Sequence, residues 1–497
     1  RCAVVPQRFN NHPGDIGVAG QSPARGDLAM RTIGESQGSG CSGFRRSGPT
    51  RREAIRAGAL AMTGLAMPEL FRGRAMAASS TAMGPGFGRA KSCLLIFMWG
   101  GPSQLDTWDP KPDAPVQVRG DFKSIATKVP GIRISEHFPR LASQTHRLAI
   151  IRSMTHDDPA HLSSAHRLLT GHLAPRPYSD AAPPSPQDWP HLGSIVAKLH
   201  PSHGSLPASV TMPWTVAHPA APGGRAPGQT AGWLGKTFDP MAIEGDPNVA
   251  GFEVGGLSLP TGVDLGRMTG RRSLLEHLGS PAIDGKGPGS WSGYQGRALD
   301  SLVSAEARGA FQIEREDPKL RDAYGRHIHG QCLLLGRRLI EAGVPLVTVN
   351  WHNDGQNFWD THGDNFNQLK NRLMPPADQG FSALLDDMSA RGLLDETLVV
   401  WVGEFGRTPK TTNGGTGREH WPRCYSAVMA GGGVAPGRVY GSSDRFAAFP
   451  ASDPVNPDDL GATILHALGI NPAQEVEDNL GRPLRINNGR PVTSLFA

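Results

Sequence analysis

The stretch from Leu398 to Cys424, LVVWVGEFGRTPKTTNGGTGREHWPRC, decides how the chain is read. It opens on a short β-branched apolar run, Leu398-Val399-Val400-Trp401-Val402, the composition of a strand buried on both faces of a parallel sheet. The run stops at Gly403, and polar chemistry follows at once: Glu404, Arg407, Thr408, Lys410, Arg418, Glu419 and His420. In open α/β sheets, ligands sit just beyond the carboxyl ends of strands. A carboxylate there, with a histidine delivered by the following loop, makes half of a metal site. A solvated loop holding an Arg–Glu ion pair fits this segment alone equally well.

The same pattern of buried strand followed by polar exit recurs on both sides. Cys93 to Trp99, CLLIFMW, runs into Gly100-Gly101-Pro102-Ser103 and then Asp106 and Asp109. Asp106 is the ligand candidate, while Asp109, ahead of Pro110, reads as a turn cap. Leu148-Ala149-Ile150-Ile151-Arg152 empties into a dense histidine cluster, His156, His161, His166 and His172. Pro159 suits the first turn of a helix capped by Asp157 or Asp158. Such a helix start, with free N–H groups and a positive dipole end, suits an anion. His161 and Ser164, three apart, share one face of that helix. Pro345 to Trp351 is another strand; it leads into His352-Asn353-Asp354 and then Asp360 and His362, which are two apart on extended backbone and point the same way. That pair can grip one cation.

Between the strands the spacing predicts helices over 298–314, 320–342 (stopped by Gly343), a helix ending across 381–392, and a last helix over 457–468. Ser426 to Ala430 adds a strand. Alternation of strands and helices predicts an α/β three-layer sandwich with right-handed crossovers and a mainly parallel central sheet. Residues 173–290 are Pro/Gly-rich and weakly patterned. They read as an irregular insertion over the site, with short strands at 209–212 and 252–257.

Charge excludes one function class. The net charge of +5 comes from the amino-terminal part: residues 1–77 hold 11 Arg, no Lys and five acids, and the remaining residues carry 39 basic against 40 acidic side chains. A near-neutral body gives no electrostatic footprint for nucleic acid. The five cysteines form no CxxC, so a thiolate zinc site is not indicated; buried thiols, with room for one bridge, are expected.

Residues 1–49 read as disordered, or as sequence upstream of a start at Met30. Residues 50–77 carry Arg51-Arg52 ahead of a short Gly/Ala-rich apolar segment and a small-x-small site at Ala75-Met76-Ala77, the marks of a twin-arginine export signal. Its apolar core is too short for a stable membrane anchor. The expectation is an exported protein, periplasmic or extracellular, whose body spans 78–497.

Five segments in this order, GGPSQLDTWDPKP (100–112), RSMTHDDPAHLSSAHRLLTGH (152–172), WDTHGDNF (359–366), GEFGRTPK (403–410) and GREHWPRC (417–424), resemble the exported bacterial family called domain of unknown function 1501, described as sulfatase-like. The resemblance implies the alkaline phosphatase and sulfatase fold with a metal site along the strand ends. It maps the metal ligands onto Asp106, Asp360, His362, Glu404 and His420, and the nucleophile's place onto His161. Three departures stand out. His161 replaces the Cys or Ser of the sulfatase signature, the first strand ends in Gly-Gly instead of Asp, and an Asp-His pair has become Glu404-Phe405.

Two functions follow. One is a metal-dependent hydrolase of sulfate or phosphate esters, on small molecules or polysaccharides. A divalent Zn, Ca or Mn would polarise the ester or activate water, Arg407 would hold the anion, His161 would act as base or ligand, and water or Ser164 would attack. The other is a non-catalytic carbohydrate- or partner-binding protein that kept the fold.

Overall fold

The computed structural model describes residues 83–201, 205–218, 220, 224–255, 263–278, 304–351 and 358–496. The expectations for residues 1–77, and for His352 to Asp354, lie outside the described residues.

An eight-stranded sheet forms the middle layer. In chain order its strands are β1 (Ser92–Phe97), β2 (Leu148–Met154), β3 (Ser209–Met212), β4 (Met241–Ala242), β5 (Leu346–Asn350), β6 (Thr397–Val402), β7 (Tyr425–Ala430) and β8 (Arg438–Tyr440). In space they run β8-β2-β7-β6-β1-β5-β3-β4. β1 lies at the centre, parallel to β5 through Leu95↔Thr348 and to β6 through Leu95↔Val400. Only β7 runs against its neighbours β2 and β6, so the sheet is mainly parallel, as the strand–helix alternation predicts.

The two faces of each strand enter different cores, the period-2 consequence of the pleat. Leu94, Ile96 and Met98 pack with Val347, Val349, Val399 and Trp401 against the helices Ile328–Glu341 and Met374–Ala390. Cys93, Leu95, Phe97 and Trp99 pack on the opposite side against the helices His161–Thr170, Leu192–Leu199 and Pro457–Ala467. These two apolar cores make the three-layer sandwich. Cys93, Cys332 and Cys424 are buried and unbridged.

Several local expectations are corrected. The helix expected over 320–342 is two helices, Pro318–Tyr324 and Ile328–Glu341, because Gly325 takes φ +95° and His327 caps the second by accepting from the Gly330 N–H. Of the helix expected over 298–314, the described part runs Ala305–Phe311 behind a Ser304 cap. Residues 252–255 are turn and loop, not strand. The stretch 173–290 is no mere cover: it supplies β3, which pairs with β5, and β4 beyond it. Among the described residues no helix is long and apolar enough to cross a membrane.

Candidate metal centre at the strand ends

The exits of β1 and β6 meet first. Gly100 takes φ +106°, and a Cβ there would stand 2.3 Å from the Asp360 backbone nitrogen, so only glycine lets the 359–360 segment lie against the β1 exit. The Gly100 N–H donates to Glu404 Oε1 at 2.8 Å, pinning the carboxylate that follows β6. The same oxygen lies 2.7 Å from His161 Nδ1, and the Glu404 backbone carbonyl is met by His156 Nε2 at 2.7 Å.

His161 is the first residue of the helix His161–Thr170. Neither Pro159 nor Asp157 plays the expected part. The helix begins two residues after Pro159, Asp158 accepts from the Ala160 N–H, and Asp180 reaches back to accept from the Leu162 N–H at 3.0 Å. A chain carboxylate therefore already holds part of the helix start assigned to an anion.

Asp360 is the hub. Its Oδ1 lies 2.9 Å from His362 Nε2, 3.2 Å from His420 Nε2 and 2.6 Å from Arg407 Nη2, and its Oδ2 lies 3.3 Å from His161 Nε2. His161, Asp360, His362 and His420 each offer a ligand atom, all within 4.8 Å of one another, and could hold a metal ion. Four ligand atoms about 2.0–2.1 Å from a tetrahedral centre would stand roughly 3.3–3.4 Å apart, near the 2.9–3.3 Å between the Asp360 oxygens and the three Nε2 atoms.

The far nitrogens show why this set fits a cation. His161 Nδ1 faces the Glu404 carboxylate, His362 Nδ1 faces Glu419, and His420 Nδ1 lies 2.8 Å from the Pro159 carbonyl. Each Nδ1 has an acceptor and so carries a hydrogen, and each ring turns its Nε2 toward Asp360, as a lone pair when the ring is neutral and as an N–H when it is protonated. Three lone pairs facing a carboxylate repel unless protons or a cation lie between them. Buried Glu404 Oε2 has no hydrogen-bond partner, and His161 Nε2 makes none beyond its 3.3 Å approach to Asp360 Oδ2, which leaves both atoms open to a cation. Burial opposes a charge on His161, but Asp360 and Glu404 outweigh it and raise its pKa to about 9. Burial likewise opposes ionisation of Asp360, yet the three histidines and Arg407 hold it well below the usual carboxylate range. His420 is lowered by burial, with Arg407 and His161 adding to the effect against Asp360.

The other assigned residues fall outside the cluster. Asp106 is fully buried in a closed network: Arg418 grips it at 2.7 and 3.2 Å, and Asn365 and Ser103 donate to it at 2.9 and 2.6 Å. Three donors meet its Oδ2 and Arg418 meets its Oδ1, so it is committed to a buried pair outside the histidine cluster, which corrects its assignment as a ligand. Glu404 is an orienting group for His161 and not one of the four clustered ligands. Arg407 is buried, and its donors go to Asp360 and to the carbonyls of Gly100, Gly101 and Trp359, so it braces the site and has no free fork for an anion. Ser164 Oγ donates to the Asp158 carbonyl at 2.7 Å.

Two contributors escaped the sequence reading. Glu419 sat beside His420 in the opening stretch, and a carboxylate adjoining a ligand histidine was the available signal. His218 comes from the weakly patterned 173–290 stretch, where nothing marks it; its ring lies 5.5 Å from that of His161. A larger cavity of about 620 Å³, around Lys91 and Pro345, lies at the opposite end of β1 and β5 and holds none of these residues.

Among solved structures the chain is similar to Ps i-CgsB in complex with k-i-k-neocarrahexaose, at 12% identity over 83% of this chain and 76% of that one, TM-score 0.39. It is similar to the PsFucS1 sulfatase from Pseudoalteromonas sp., at 12% identity over 80% and 71%, TM-score 0.32. It is also similar to a protein in the alkaline phosphatase superfamily from Vibrio parahaemolyticus, at 9% identity over 83% and 72%, TM-score 0.34. No curated protein matches the sequence. Residues 90–496 match one family model across the whole sandwich, and the chain belongs to the family described as "Protein of unknown function (DUF1501)".

Proposed function

We propose that the protein is an exported metal-dependent hydrolase of sulfate or phosphate esters. One observation carries this: three histidines turn their Nε2 atoms to one carboxylate at the strand ends, while every Nδ1 is held by an acceptor. That is how ligating histidines are oriented by their outer partners. His161, Asp360, His362 and His420 would hold the ion, and nitrogen-rich donors with one carboxylate favour zinc over calcium or magnesium. Bound there, it would supply Lewis-acid polarisation of the ester oxygen or lower the pKa of water.

The chain's own groups hold that donor set still. Glu404 and Glu419 fix the tautomers of His161 and His362, the Pro159 carbonyl fixes His420, and Arg407 locks the Asp360 rotamer. Ser164, the hydroxyl candidate, is bonded to a carbonyl, and burial raises the thiol pKa of Cys93, Cys332 and Cys424, so none of these four is poised as a nucleophile. Water is the attacking group in this reading.

The test is elemental analysis of the purified chain followed by a screen of aryl sulfates and phosphate mono- and diesters with Zn, Mn and Ca. The expected result is about one bound ion per chain and metal-dependent turnover that His420→Ala abolishes. Protein that neither carries nor takes up a cation, or turnover indifferent to His420→Ala, overturns the proposal. A folded, metal-loaded protein that turns over nothing in the screen would favour the binding-protein reading.

A further inference from the structure

A second concavity lies at the same end of the sheet. The hairpin Ser124–Ala126/Arg133–Ser135 hangs from the β1 exit loop, with the Ser135 N–H donating to the Thr107 carbonyl at 2.9 Å. Between that hairpin and the short helix Val116–Arg119 is a cavity of about 200 Å³ lined by Lys111, Arg119, Phe122, Lys123, Ser124 and Arg133, with Pro110 and Pro112. Four of these eight are cationic and none is acidic. Lys111 is paired with buried Asp109 at 2.9 Å, which also takes Arg152 at 3.4 Å. Glu136 stands close enough to accept from the Lys123 backbone N–H at 2.8 Å. Yet among the described residues Arg119, Lys123 and Arg133 have no carboxylate within ion-pair distance; Arg133 spends two donors on Ser124.

Like charges gathered around one hollow repel unless an anion joins them. The rest of the chain carries no basic excess that would place three unpaired cations together by default. Phe122, wedged edge-on against His137 and Phe366, makes a fixed wall. The volume is that of about six or seven waters. It suits one sulfate or phosphate group with part of its carrier, and is smaller than a pocket for a whole drug-sized ligand.

The helix beside this hollow is tied to the metal centre. Arg418 Nη2 donates to the Val118 carbonyl at 2.8 Å, one residue before Arg119, and the Arg418 N–H donates to the His362 carbonyl at 2.9 Å. Arg418 thus bonds both the segment that carries Arg119 and the segment that carries His362. One anionic group fills the hollow, so a substrate that engages both the hollow and the metal centre carries at least two.

We infer that Arg119, Lys123 and Arg133 form a subsite for a sulfate or phosphate group of a polyanionic polysaccharide, whose neighbouring ester is presented to the metal centre. As a substrate subsite it presupposes the hydrolase proposed above; as a binding site it does not. The test is calorimetric titration of the full chain with dextran sulfate, unsulfated dextran, inorganic sulfate and vesicles of anionic lipid. Dextran sulfate should bind with an affinity that falls steeply with salt. Replacing Arg119, Lys123 and Arg133 together by Gln should weaken it about ten- to a hundredfold and flatten the salt dependence, with metal content and thermal midpoint unchanged. His420→Ala should keep dextran sulfate binding, so that a failed hydrolase reading and a failed subsite give different results. Dextran sulfate affinity untouched by the triple Gln variant, equal binding of unsulfated dextran, inorganic sulfate as tight as the polymer, or preference for vesicles overturns the inference. Should the triple variant fold poorly, Lys123→Glu alone on the exposed rim must still weaken binding.

Discussion

Asp106 and Asp360 are strand-exit carboxylates a short distance apart in the same layer of loops, and they have come to opposite uses. Asp106 is gripped bidentately by Arg418, and Asn365 and Ser103 both donate to its Oδ2 as well. Asp360 has Arg407 on one oxygen only, and the rest of its surroundings are three imidazoles whose charge depends on what lies between them. A carboxylate facing fixed charge is finished when the chain folds. One facing histidines is still open to an exchangeable cation.

The sharpest way to break this contrast is to remove each centre in turn. Asp106→Ala leaves buried Arg418 without its partner and should lower unfolding stability by about 3–5 kcal/mol, read from denaturant midpoints, while zinc affinity of the folded protein stays within a few-fold. His420→Ala should do the reverse: an affinity loss beyond about 100-fold, larger than losing an outer partner, with little change in metal-free stability. If Asp106→Ala empties the metal centre of a still-folded protein, the division between the two carboxylates is wrong.

Removing the cation sharpens the same point. Because an ion held only by the folded state adds stability by mass action, about 2.7 kcal/mol at 100 times its Kd, chelation should lower the thermal midpoint by a few degrees and zinc should restore it. Metal-free His161 holds its proton up to about pH 9, since Asp360 and Glu404 outweigh its burial. A cation entering near neutral pH must displace that proton. Calorimetry in buffers of different ionisation enthalpy should show at least one proton released near neutrality, with His362, whose pKa Asp360 also raises, adding to that of His161, and less as pH rises past that value, with affinity falling as pH is lowered.

How much of this was legible depended on whether the signal was local. The buried runs at Cys93–Trp99 and Leu398–Val402 announced β1 and β6 because a doubly covered parallel strand needs nearly every residue apolar. Asp360, His362 and His420 were legible as ligand types just past strand ends. What escaped was set by distant partners. Asp106 and Arg407 look like site residues until the buried groups that hold them are known. No periodicity shows that Asp180 joins Asp158 in supplying a carboxylate to the start of the His161 helix. The reversal of β7 against a parallel sheet was likewise invisible, since pairing direction leaves no mark on a six-residue apolar run.

The finest comparison is between the two carboxylates that orient the histidines. Glu404 is fully buried, bonded to His161 and to the Gly100 N–H, whereas the Glu419 and His362 side chains are 46% and 42% exposed. Water can replace a bond made at the rim but not one made beneath it, and exposed charge pairs contribute little. Glu404→Gln should therefore weaken zinc binding about 10- to 100-fold, and Glu419→Gln only a few-fold, when both are measured against a chromogenic chelator in the same buffer. Equal losses would mean that His362 is held as firmly as His161, and that orientation at this centre comes from hydrogen-bond chemistry alone, without help from burial.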